Sequence, residues 1–239
     1  MIYFFGDTHG HFEHVLQVVD QDRPDAVVFL GDLQAQRPLE VELAPILDTT
    51  DVWFIHGNHD TDSDQDYDHL FGSALAERNL HGRVVEIAGI RVAGLGGVFR
   101  SQIWGPPSSW QHEVPKDFIK RCGKGKLWRG GLPRKHHSSI FPGDFFKLVN
   151  QRADILVTHE APSCHPHGFE VINELARSLR AQSAFHGHHH DRLDYSRQHA
   201  QIGFAAFGVG FCGVTDMNGR VVRKGDLDDA RAARQRSVW

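Results

Sequence analysis

Apolar and polar positions in this chain follow two rhythms. Short unbroken apolar runs stop abruptly at a glycine or a polar residue, and several are followed by stretches with apolar residues at helical spacing. Ile2-Tyr3-Phe4-Phe5 is the first run, closed by Gly6-Asp7-Thr8-His9-Gly10, and a helix with Phe12, Val15, Leu16 and Val19 on one face comes next. Ala26-Val27-Val28-Phe29-Leu30 predicts a second buried strand, closed by Gly31-Asp32. Residues 38–47 read as helical, although Pro45 interrupts them. Val52 to Ile55 predicts a third strand that runs into His56-Gly57-Asn58-His59-Asp60, and the acid-rich residues 62–71 predict a short surface helix. Strand and helix in alternation imply a layered α/β sheet.

The pattern then changes. Val84–Ile87 and Ile90–Ala93 flank Ala88-Gly89 and predict a hairpin. Residues 99–142 show no period and are broken by Pro106-Pro107, Gly123, Gly125 and Gly130-Gly131, so a functional insertion is expected there. Regular structure resumes with a helix at 143–151 and a strand at Asp154–Val157 that ends in Thr158-His159. A helix at Phe169–Leu179 follows, and then Ser183-Ala184-Phe185 leads into His186-Gly187-His188-His189-His190. Short strands and turns continue to Val222, and residues 226–239 read as a polar, loosely attached tail. A chain of 239 residues can bury one substantial core without a second domain, so one domain over 1–239 is expected.

Chemistry collects where the apolar runs end. Asp7-Thr8-His9, Gly31-Asp32, Gly57-Asn58-His59-Asp60, His159 and Gly187-His188-His189-His190 each follow a strand-like run, so an α/β sheet can bring them to one edge. They supply carboxylates, an amide oxygen and imidazoles but no thiolate, a set suited to divalent Mn, Fe or Zn. The supply exceeds the needs of one ion, which predicts a two-metal centre. Asn58 offers a neutral oxygen, His59 a nitrogen that can move a proton near neutral pH, and Asp60 a carboxylate to orient it. If the last loop is extended, His188 and His190 share a side and His189 points elsewhere. His11, His56 and His186 are expected to support the ligands or the fold, and His165 and His167 to lie on the surface.

Composition adds one fact. Histidine is in excess, at 18 residues, and position rather than number must decide what the excess does. A net charge of −4 gives no global argument for nucleic-acid or membrane binding. The three cysteines, Cys122, Cys164 and Cys212, are odd in number and widely spaced, which suggests neither a disulfide framework nor a CxxC zinc site. With no apolar segment of transmembrane length and no leader-like start, a cytoplasmic location is expected.

The ordered series Asp-x-His, Gly-Asp, Gly-Asn-His-Asp, a lone His and Gly-His-x-His resembles the calcineurin-like metallophosphoesterase superfamily from Asp7 to His190. The resemblance implies two stacked mixed β-sheets flanked by helices, a four-layer α/β sandwich. It implies two divalent transition-metal ions (Mn, Fe or Zn, with Mn the ion expected to support activity in vitro). One would be held by Asp7, His9, Asp32 and His190, the other by Asp32, Asn58, His159 and His188, with Asp32 bridging. His59 would be the proton donor or phosphate contact and Asp60 its orienting partner. The implied activity is phosphate-ester hydrolysis by attack of a metal-bridging hydroxide. The contrasting class is a protein-binding scaffold that has lost ligands, which the complete ligand set argues against. Phosphoprotein phosphatases of the superfamily continue Gly-Asp with Asp-Arg-Gly, whereas this chain reads Gly31-Asp32-Leu33-Gln34, so phosphoprotein, nucleotide and nucleic acid all remain as substrates.

The 99–142 segment bears on that choice. Between Arg100 and His137 stand nine basic residues (Arg100, Lys116, Lys120, Arg121, Lys124, Lys126, Arg129, Arg134, Lys135) against Glu113 and Asp117, with Trp104, Trp110, Phe118 and Trp128 interleaved. A solvated loop pinned by its aromatics accounts for this composition. So does a cap that grips phosphate oxygens, with Arg100, Arg129, Arg134 and Lys135 as candidate substrate contacts and nucleic acid as a candidate partner.

Overall fold

The computed structural model describes residues 1–236. The first third alternates β1 (Ile2–Phe5), α1 (Glu13–Asp22), β2 (Ala26–Phe29), α2 (Leu39–Glu42), β3 (Asp51–Phe54) and α3 (Asp64–Phe71). The helix expected over 38–47 is short: beyond Glu42 the chain makes only a 3₁₀ turn at Ala44–Ile46, which contains Pro45. α3 starts where Ser63 Oγ accepts the Asp66 N–H at 3.0 Å, and Asp64 and Asp66 sit in its first turn, where the helix dipole favours negative charge.

The hairpin pairs β4 (Arg83–Ile87) with β5 (Ile90–Leu95). The 99–142 segment is more structured than its sequence suggests. It contains α4 (Pro115–Arg121) and 3₁₀ turns at Lys124–Lys126 and Arg134–Ser138, and it gives Ile103, Trp104, Leu132, Ile140 and Phe141 to the core. After it come α5 (Pro142–Val149), β6 (Ile155–Thr158), α6 (Glu170–Leu179) and β7 (Ser183–His186). Then follow α7 (His199–Ile202), β8 (Ala205–Gly208), β9 (Val214–Asp216), β10 (Val221–Arg223) and α8 (Asp228–Arg236). The expected loose tail is therefore helical over 228–236, and residues 237–239 lie outside the described residues.

The strands form two mixed sheets of five, ordered β10-β9-β1-β2-β3 and β4-β5-β6-β7-β8. β1, β2 and β3 are mutually parallel, as are β5, β6, β7 and β8. Alternation along the strands decides the layers. Ile2, Phe4, Val28, Leu30 and Ile55 of the first sheet meet Val92, Ile155, Val157 and Phe185 of the second, with the Phe4 and Phe185 rings stacked at 3.9 Å. Tyr3, Phe5, Val27 and Phe29 face the other way, onto Val15 and Val19 of α1. Phe145 and Leu148 of α5 and Ile172, Leu175 and Leu179 of α6 cover the outer face of the second sheet. The result is the four-layer α/β sandwich, with the C-terminal ends of β1, β2, β3, β6 and β7 opening onto one cleft. No helix among the described residues is long and apolar enough to cross a membrane.

Candidate metal centre

The ends of β1, β2 and β7 present side chains from strained turns. His9, Asp32, Gln34, His188 and His190 all have positive φ, between 42° and 70°, a region that costs a non-glycine residue energy and that clusters at functional sites. The last loop is thus not extended as its alternation suggests. Glycines make room for the closest approaches: a methyl group on Gly57 would strike Asp32 Oδ1, and one on Gly31 would strike the His159 ring.

Two groups of ligand atoms result, each within 4.8 Å: Asp7, His9, Asp32 and His190, and Asp32, His159 and His188. Asn58 adjoins the second, its Oδ1 lying 3.2 Å from His159 Nε2. Asp32 belongs to both groups. His159 Nδ1 donates to the Leu30 carbonyl at 2.7 Å, and His9 Nδ1 bonds Gln34 Oε1, an acceptor only. Both contacts hold Nδ1 as a donor away from the centre and aim Nε2 inward, where a neutral ring would present its lone pair. His9 Nε2 lies 3.0 Å from His190 Nε2, a separation that only a shared cation or a proton makes favourable.

Electrostatics point the same way. Asp7 and Asp32 are fully buried, and no donor is aligned to satisfy either Oδ2, although His190 Nε2 and His159 Nε2 lie 3.0 and 3.3 Å away. Burial disfavours a charged His159, yet Asp32 overrides it and pushes the imidazole up to about 10. Burial and the neighbouring His159 pull His188 down to about 4. A site that holds one imidazole charged against two carboxylates is a site that demands positive charge. The buried oxygens, the inward Nε2 atoms and the absence of thiolate fit divalent transition metals.

At the mouth, His59 is half-exposed and its Nδ1 pairs with Asp62, not with Asp60. The expected orienting role of Asp60 is corrected on this point. Both Asp60 oxygens accept backbone N–H groups, from Gly57 at 2.8 Å and Gln34 at 2.9 Å, so this buried carboxylate ties two strand-end loops together. Burial and the nearby Asp32 push it up to about 7. Sequence reasoning missed Asp62, Gln34 and Glu160. Glu160 is buried, accepts the Phe99 N–H at 2.9 Å, and its Oε2 lies 4.0 Å from His188 Nε2. Only its adjacency to His159 could have marked it.

The remaining expected residues divide. Arg100 donates to Ser138 O and Ser139 Oγ, with the carboxylates of Glu160, Asp62 and Asp32 around it. Arg129 instead forks onto Asp68 at 2.6 and 2.8 Å while lying over the Trp128 ring. Arg134 bonds Asp64 and the carbonyls of Thr61 and Asp62. Lys135 is exposed. His189 turns away and stacks on His165 at 3.8 Å. His165, expected on the surface, is buried there, while His167 is exposed. His56 and His186 are buried, bonded to Asn79 and Tyr195, and His11 is exposed beside Phe211.

Residues 1–192 match the family model of calcineurin-like phosphoesterases. An uncharacterized protein of Haemophilus influenzae (strain Rd) is 43% identical over 229 residues, which is 96% of this chain and 99% of that protein. The crystal structure of TT1561 of Thermus thermophilus resembles this one with a TM-score of 0.53 at 14% identity, over 91% of this chain and 95% of that one. At that identity the structural likeness concerns the fold, whereas the sequence match carries the family. The chain belongs to the calcineurin-like phosphoesterases.

Proposed function

We propose that this protein hydrolyses phosphate esters with two divalent metal ions held at the strand ends, one by Asp7, His9, Asp32 and His190 and the other by Asp32, Asn58, His159 and His188. The observation that carries the reading is the pair of buried carboxylate oxygens, Asp7 Oδ2 and Asp32 Oδ2, left without donors in a ring of imidazoles. When bound, such ions supply Lewis-acid stabilisation of phosphoryl oxygens and an activated water.

The protein's own groups do the rest. Gln34 and the Leu30 carbonyl fix the orientation of His9 and His159, so that each ring, once neutral, would present its Nε2 lone pair to an ion. His59, whose pKa burial lowers but Asp62 and Asp32 together raise, stands at the mouth, where its protonated ring can give a proton to the departing oxygen. Arg100, immobilised by Ser138 and Ser139, offers a fixed positive charge beside the same mouth. Arg129 and Arg134 are committed to α3, which moves the substrate contact of the 99–142 segment onto Arg100 and favours a compact phosphorylated substrate over a long polyanion. Elemental analysis after reconstitution with Mn²⁺ is expected to find about two equivalents of metal. Turnover of 4-nitrophenyl phosphate should follow that occupancy. A folded protein that takes up no metal, or that turns over no phosphate ester when loaded, overturns the proposal.

A further inference from the structure

Away from the strand ends, the 99–142 segment lines a solvent-open cleft of about 330 Å³ whose lining includes Ser101, Gln102, His112, Phe118, Arg121 and Lys126. Its charge is one-sided. No carboxylate lines it, and Arg121 and Lys126 are exposed. Among the described residues the segment's ion pairs join Lys120 to Asp117 and Arg129 and Arg134 to α3, and none engages Arg121 or Lys126.

His112 is the second, independent observation. It is 8% exposed, its Nδ1 has no hydrogen-bond partner, and neither ring nitrogen is bonded among the described residues. Packing alone holds the ring, edge-on to Phe118 with centroids 5.1 Å apart. Nδ1 is sealed off without a partner, whereas Nε2 is not, so a partner reaching the ring from the cleft would meet Nε2. An oxyanion completes all three groups at once, because phosphate oxygens accept from guanidinium, ammonium and imidazole N–H. The volume is that of a small-ligand pocket, larger than a bare phosphate needs, and Phe118 supplies an apolar wall.

We infer that this cleft binds a phosphate monoester, with its dianion on Arg121, Lys126 and His112 and its organic part against Phe118. The inference concerns a site separate from the strand-end centre and holds whether or not that centre hydrolyses esters. The test uses the full-length protein loaded with diamagnetic Zn²⁺, with phenylphosphonate and, separately, inorganic phosphate. Two local signals are followed: the His112 ring resonances and the alkylation rate of Cys122, which also lines the cleft, with Cys164 as internal control. Phenylphosphonate is expected to shift the His112 signals saturably and to slow alkylation of Cys122 only. Arg121→Glu/Lys126→Glu, at two exposed positions, should weaken that response about tenfold or more. The same variant should leave 4-nitrophenyl phosphate turnover within about twofold of wild type. Absence of saturation, an equal response in the double variant, or equal affinity for inorganic phosphate overturns the inference. Turnover measured on the same samples separates its failure from a failure of the hydrolytic reading.

Discussion

Asp7 and Asp32 at the strand ends and Asp64 and Asp68 on α3 are the same side chain in opposite circumstances. The first pair is fully buried, each with an oxygen that no donor satisfies. The second pair is exposed, and each carboxylate meets an arginine of the 99–142 segment. Burying an ionised carboxylate without compensation costs several kcal/mol or more, so the first arrangement persists only if a cation completes it. An exposed ion pair contributes about 0–1 kcal/mol and needs nothing beyond its partner. Charge that the fold leaves unpaired in the interior points to a ligand, and charge that it pairs at the surface points to docking of one segment on another.

Removing one member of each pair tests the contrast most severely. Asp32→Asn is expected to lower metal content well below that of wild type and to cut kcat/KM on an aryl phosphate about 10⁴-fold, equivalent to ~5 kcal/mol. Asp68→Asn should leave both within about twofold. If Asp32→Asn retains its metal and its activity, the buried oxygens are not ligands and the distinction collapses.

The next effects in size separate neighbours in one loop. His59→Ala should keep metal while losing about 10²–10³-fold in turnover, and less on substrates with good leaving groups. Asp62→Asn should cost about tenfold or less, because it removes one of the two carboxylates that raise the His59 pKa and leaves Asp32 in place. Asp60→Asn should instead lower stability by about 1–3 kcal/mol, since an amide cannot accept both the Gly57 and the Gln34 N–H. Urea denaturation read beside turnover checks all three. A catalytic loss in Asp60→Asn without a stability loss would restore Asp60 as the partner of His59.

That correction shows what the sequence could and could not give. The five motifs were legible because parallel strands place all their C-terminal ends at one edge, so chain order alone predicts convergence. Adjacency of His59 and Asp60 misled because residues 59–61 form a 3₁₀ turn, in which positions i and i+3 eclipse and Asp62 comes round beside His59. Apolar periodicity located β1, β2, β3, β6 and β7 to within a residue, whereas β5 runs two residues past its expected end and β8 to β10 were not placed singly. It could not resolve 99–142, whose short 3₁₀ turns have no period and whose anchors, Ile103, Trp104, Leu132 and Ile140, are scattered singly. Counting nine basic residues there gave no sign that acids on α3 neutralise two of them, because pairing is a property of the fold.

The inside of that segment offers a smaller effect with a definite pH window. His136 is buried, bonds Ser139 Oγ at 2.9 Å and packs on Phe118; burial, aided by Lys135 and Arg100, pulls its pKa down to about 4. A lowered imidazole pKa means that the unfolded chain, titrating near 6.5, takes up its proton first as pH falls. The stability that His136 contributes to metal-free protein, up to about 2–3 kcal/mol, should therefore be lost between about pH 6.5 and about pH 4. His136→Gln should show a shallower slope over that window by urea denaturation. An unchanged slope would mean that the ring is already solvated in the native state.

The smallest expected effect sharpens the comparison at its other end. Arg129→Glu places a carboxylate against Asp64 and Asp68 and removes the guanidinium from the face of Trp128. Exposed pairs are weak and salt-screened, so stability should fall slightly at low ionic strength and by less at 0.5 M salt. If the arginine gripped substrate, KM for a phosphorylated compound would rise and its salt dependence would flatten. If it docks the segment onto α3, KM should hold within about twofold while proteolysis between Gly123 and Gly131 accelerates. Combining the change with Asp68→Arg re-forms the pair in reverse, and recovery of protease resistance in that double variant is the outcome expected of a docking contact. A raised KM that the reversal does not rescue would return Arg129 to the substrate and erase the contrast between paired surface charge and unpaired buried charge.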